Sequence, residues 1–96
     1  MTAYWLARAR VDDPEQYARY ANQVPAILAQ FGGEVLARAG RHEILEGPAD
    51  FNRFVVIAFP SFDAARACFN SEDYQKAAQF RRDGGGVVEI TIVEGV

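Results

Sequence analysis

The chain has 96 residues, 50% of them hydrophobic and 24% charged, and its ten basic and thirteen acidic side chains leave a net charge of −3. That balance, with no basic stripe, argues against nucleic acid as a partner, and no run approaches the roughly 20 apolar residues of a membrane span. One cysteine, Cys68, excludes an intramolecular disulfide, and one histidine, His42, leaves no dense Cys/His cluster, so neither a metal nor a cofactor is expected.

The start of the chain lacks the basic-then-apolar layout of a secretory leader, so the expected compartment is the cytoplasm. Read as a single domain over residues 1–96, the chain buries only roughly 60–70% of its unfolded surface. A homodimer is the expected supplement.

Tyr4 to Val11 alternates: Trp5, Ala7, Ala9 and Val11 form an apolar side, and Tyr4, Leu6, Arg8 and Arg10 a mixed one, as in a strand. Asp13, Pro14 and Gln16 spell a helix start, with a capping carboxylate, a proline whose missing N–H costs nothing, and an amide three residues past the cap. Tyr17, Tyr20, Ala21, Val24, Ile27, Leu28 and Phe31 follow at helical spacing. Pro25 lies inside this helix and should kink it, and Gly32-Gly33 should end it.

A second strand is expected from Glu34 to Ala39, with Val35, Ala37 and Ala39 on one side and Glu34, Leu36 and Arg38 on the other. His42 to Leu45 reads as a short extended arm, and Glu46 to Asp50 as a loop. Phe54 to Phe59 is a continuous apolar run, the mark of a strand covered on both faces. Pro60 ends it, and Ser61 caps a helix whose apolar face includes Phe62, Ala65 and Phe69. Asn70-Ser71 interrupts that helix and Ser71 caps a second piece, after which Asp83 to Gly86 turns the chain into a last strand, Val87 to Val93. Val88, Ile90 and Ile92 occupy one side of it.

The order β-α-β-β-α-β predicts an α+β, ferredoxin-like fold with a four-stranded antiparallel sheet. Two helical segments cover one face. The other, expected to carry Tyr4, Leu6, Leu36, Val55, Ile57 and Phe59, is too apolar for water and calls for a second copy packed sheet on sheet.

Tyr4-Trp5, Asp13-Pro14, Val24-Pro25-Ala26, Gly32-Gly33, Leu45-Glu46-Gly47, Phe59-Pro60-Ser61, Ala64-Ala65-Arg66 and Ser71-Glu72-Asp73-Tyr74 together resemble the domain of unknown function 1330 family, over essentially the whole chain. That family is similar in fold to the dimeric α+β barrel superfamily, which includes small monooxygenases, muconolactone isomerase-like proteins and dye-decolourising relatives. The resemblance implies a dimeric barrel without implying an activity. Phe69 departs from the family, whose members often carry a Trp or Tyr there.

Arg8, Arg10, Arg38 and Arg53 are expected to line the uncovered face, where a guanidinium fork matches a planar anion; the plainer role is pairing with Glu34 and Glu89. Tyr4, Tyr20 and Tyr74 offer phenols as donors, or serve as core. His42 is the one imidazole, the ordinary residue type for acid-base work, with Glu43 or Glu46 placed to orient it, or it is simply solvated. Cys68 and Ser61 read as a buried filler and a cap, and the Gly84–Gly86 run precedes a strand rather than the helix an anion cradle needs. No catalytic residue is assigned.

The functional expectation is a homodimer whose inter-helix or inter-sheet cleft binds a small, partly aromatic anionic metabolite, with Arg38, Arg53 and His42 as the chief polar contacts. A cofactor-free monooxygenase or isomerase and a non-catalytic interaction module are the alternatives. Haem handling is a distant third, because His42 on an arm is poorly placed for axial ligation.

Overall fold

A computed structural model describes residues 1–96. The strands are β1 (Ala3–Val11), β2 (Glu34–Arg38), β3 (Arg53–Phe59) and β4 (Gly86–Glu94), all neighbours antiparallel in the order β2-β3-β1-β4. This is the ferredoxin-like α+β topology expected from the element order.

Each helical segment is divided. The first comprises α1 (Pro14–Ala21) and α2 (Val24–Gln30), and the second α3 (Phe62–Asn70) and α4 (Glu72–Phe80). Asp13 caps α1 by accepting from the N–H groups of Glu15 and Gln16 at 3.1 and 3.2 Å. Pro25 does not kink one long helix. The helix stops at Ala21, and Pro25 falls in the first turn of α2, where its lost donor has no intrahelical partner to miss. Ser71 separates the other pair: its ψ of 149° ends α3, and its hydroxyl accepts from the N–H of Tyr74 at 3.2 Å to start α4.

After α4 the chain makes a wide turn, Arg81–Gly85, whose last carbonyl accepts from the N–H groups of Asp12 and Asp13. Gly86 must be glycine, because a Cβ there would lie 2.4 Å from the Arg10 carbonyl oxygen.

Trp5 lies opposite Ile57 on one neighbouring strand and Ile92 on the other. That register turns Trp5, Ala9, Ile57 and Phe59 toward the helices, where they pack with Leu28, Ala65, Cys68, Tyr74 and Ala77. It also corrects the sequence expectation, since Val55, Ile57 and Phe59 lie on the helix-covered face. The apolar run in β3 is continuous, so its alternation carries no label for either face until a partner strand fixes the register. The opposite face presents Tyr4, Leu6, Val56, Ala58, Thr91 and Val93.

A second correction concerns Arg38. Val35 pairs with Ile57 and Ala37 with Val56, so Leu36 is an unpaired bulge residue and the side chains beyond it change face. Arg38 therefore shares the helix side with Val35 and Arg53. Residues 39–52 form no strand; the expected arm at His42–Leu45 is irregular and exposed.

Cys68 is fully buried, and burial pushes its thiol from an ordinary value of 9.0 up to about 11. The folded value lies above the unfolded one, so stability is full below pH 9 and is lost as pH rises toward 11. Burial raises Tyr17 and Tyr20 as well, adding to the loss above pH 10. The urea midpoint is expected to fall over that window, with about 2–3 kcal/mol due to Cys68 and absent from Cys68→Ala. An equal fall in Cys68→Ala would refute the assignment.

Candidate functional site

Two hollows adjoin the sheet. The first is a narrow slot of about 50 Å³ between the α1–α2 pair and the sheet. Its space is several times the roughly 10–15 Å³ that one water needs. Trp5 and Tyr17 supply aromatic walls, Val24 and Leu28 come from the α1–α2 side, and Val55 and Ile57 form the sheet side. The charged side chains on its side of the sheet are Arg38 and Arg53; Arg8 touches it from β1 with its own side chain on the opposite face, and no acidic residue lines it.

Arg53 begins β3 and is partly buried. Its Nε is fully buried without a hydrogen-bond partner, and its guanidinium carbon lies 5.5 Å from the centre of the Tyr17 ring. The chain's ion pairs are Arg8–Glu89, Arg10–Asp12 and Lys76–Glu72, so neither Arg38 nor Arg53 has a carboxylate. A buried guanidinium nitrogen left unpaired costs about 1–3 kcal/mol or more.

Burial raises the Tyr17 phenol above its ordinary value, and the Arg53 charge moderates the rise. Tyr20 is raised further, by burial first and by Tyr74 second. Neither phenol ionises near neutrality, so the slot has hydrogen-bond donors but no side chain suited to be a base at pH 7.

The second hollow, about 400 Å³, lies under the 42–48 loop and involves Arg8, His42, Glu43, Glu46, Phe51 and Phe54. It is larger but shallow, and its cation is already engaged. Arg8 pairs with Glu89 at 2.7 Å and stacks over Phe51 at 4.3 Å. His42 rests on the Phe54 ring at 4.7 Å, with Nδ1 3.3 Å from the Gly40 carbonyl oxygen. The narrow slot is the better candidate because a buried donor there lacks a partner.

Of the residues singled out from sequence, the slot brings together Arg38, Arg53 and Tyr20, and Arg8 borders both hollows. His42 lies in the second hollow, and Tyr4 lies on the uncovered face with its ring against Gly95. Tyr74 is fully buried behind Tyr20. Correcting the expectation for the four arginines, the sheet separates Arg38 and Arg53, on its helix side, from Arg8 and Arg10. Tyr17 and Arg81 went unsingled. Tyr17 was findable, being one helical turn before Tyr20; Arg81, in a doublet with Arg82 after a helix, carries no pattern that marks it as buried.

A family model described as a domain of unknown function, DUF1330, matches residues 2–96. The chain belongs to the DUF1330 family. Among solved structures, this DUF1330 chain is similar to a protein of unknown function from Rhodopseudomonas palustris, with 18% identity, a TM-score of 0.76, and coverage of 99% of this chain and 82% of that one. It is also similar to SnoaB, a cofactor-independent oxygenase from Streptomyces nogalater (18% identity, TM-score 0.67, 99% and 93% coverage). A third is a dimeric ferredoxin-like protein of unknown function from Jannaschia (13% identity, TM-score 0.68, 99% and 100% coverage). At such identities the shared feature is the fold. No curated protein matches the chain.

Proposed function

We propose that this DUF1330 chain acts as a cytoplasmic homodimer, each protomer binding a small organic anion with a flat, partly aromatic body in the slot between α1–α2 and the sheet. The observation that carries this is the buried, unpartnered Nε of Arg53 in a slot lined by arginines, aromatic rings and aliphatic side chains with no acidic residue. A ligand carboxylate supplies the missing acceptor, and the rings of Trp5 and Tyr17 take its flat body. A lone buried thiol suits a reducing compartment.

The slot as it stands takes a short acid. A ring enters when α2 shifts, and α2 suits that role: it has seven residues, no side-chain N-cap, and two glycines just past its C-cap, Phe31. Only 17 of the 96 residues are buried, and the uncovered sheet face carries Leu6 at 41% and Val93 at 46% exposure, which supports a second copy there. The dimeric Jannaschia protein of the same fold supports it too.

A cofactor-free oxygenase or isomerase is the second reading, and the similarity to SnoaB favours it. With no base in the slot, such chemistry would depend on a substrate acidic enough to ionise by itself, held in place by the arginines.

Isothermal titration with benzoate tests the binding. Wild type is expected to bind, and Arg53→Met to bind about 10- to 100-fold more weakly, the effect of one charged hydrogen-bonded contact. Equal affinity in the two proteins, or no binding to either, would overturn the proposal.

A further inference from the structure

Behind the slot lies a polar chain that the anion does not explain. The hydroxyls of Tyr20 and Tyr74 are 2.8 Å apart, and Nη2 of Arg81 approaches the Tyr74 oxygen at 3.4 Å. Arg81 is only 5% exposed, Tyr74 is at 0%, and the Arg81 guanidinium carbon is 5.1 Å from the centre of the Tyr20 ring. This cation also lacks a carboxylate, and its Nε has no partner.

The direction of the hydrogen bonds follows from what each group can do. A guanidinium only donates, so the Tyr74 oxygen accepts from Arg81. Tyr74 has one proton of its own, and in its fully buried site the acceptor within reach is the Tyr20 oxygen. Were Tyr20 the donor instead, two donors would converge on one oxygen and the Tyr74 proton would be stranded, at a cost of about 1–3 kcal/mol. Tyr20 therefore accepts, and its own proton is left over. Tyr20 borders the slot, which no acidic, amide or hydroxyl-bearing side chain other than the two phenols lines.

We infer that Tyr20 offers this proton to the ligand, its direction set by Arg81 through Tyr74, and that the ligand carries an uncharged carbonyl oxygen in addition to the anionic group met by Arg53. This rests on the proposed binding slot and narrows its ligand to the oxo acids. Arg81 is then a positioning residue, acting through Tyr74 without touching the ligand.

Benzoate and benzoylformate share a ring and a carboxylate and differ by one ketone, so their affinity ratio isolates the second acceptor. Wild type is expected to bind benzoylformate about 10-fold more tightly, the effect of one buried hydrogen bond. Tyr20→Phe, which keeps the ring, is expected to bring the ratio near one. Arg81→Met should do the same and Arg81→Lys, which still donates, should restore the preference, a rescue that a purely packing role would not give. A wild-type ratio near one, with benzoate still bound, overturns this inference and leaves the slot standing. A ratio that survives Tyr20→Phe or Arg81→Met also overturns it. Binding of neither probe overturns both.

Discussion

Trp5→Ala is expected to cost about 3–5 kcal/mol of folding stability, the range for deleting a buried aromatic side chain. Trp5 is 2% exposed, and its ring meets Phe59 at 5.8 Å, Phe69 at 6.0 Å and Tyr74, edge to face, at 5.2 Å. It ties β1 to β3 and to both halves of the second helical segment at once. It also walls the slot, so the vacated space joins a hollow already present instead of closing by collapse. Against a typical total of about 5–15 kcal/mol, that loss takes a large share of the fold's stability. Urea unfolding followed by far-ultraviolet circular dichroism measures it, because the variant has no tryptophan to report. A loss below about 1 kcal/mol would mean that the ring contacts are not the centre of the core.

Local chemistry wrote most of the element boundaries into the sequence. Asp13, Ser61 and Ser71 cap where their side chains can reach the first free N–H groups, and these are short-range geometries that a few neighbouring residues decide. The faces of β1 and β4 were legible for a similar reason: along the middle of each strand one side carries charge and the other does not. β3 was different. Every residue from Phe54 to Phe59 is apolar, so only pairing with Trp5 through Ile57 settles which side meets the helices. The side taken by Arg38 depends on a bulge at Leu36, which shows only in the pairing of β2 with β3. The candidate site followed the same division. Arg53 and Tyr20 were legible as residue types, but that they line one slot, and that Arg81 lies buried behind Tyr20, comes from packing between segments far apart in the chain.

That correction changes what a second copy is needed for, and Leu6→Asp separates the two roles. Leu6 lies opposite Val56 and Thr91 near the middle of the uncovered face. In a two-fold interface each dimer carries the substitution twice, so two carboxylates without partners are moved from water into an apolar layer. Even after partial rehydration the pair is expected to cost about 3 kcal/mol or more, raising the dimer dissociation constant over 100-fold. Sedimentation at micromolar concentration is expected to show a wild-type dimer and a monomeric variant; a monomeric wild type, or a variant that still associates equally, would remove the sheet-on-sheet dimer. The slot lies on the other side of the sheet and takes all its lining from one chain. A monomeric Leu6→Asp protein that stays folded is therefore expected to bind benzoate within a few-fold of wild type. A cleft built between two sheets, one of the two alternatives the sequence left open, would lose binding along with the dimer.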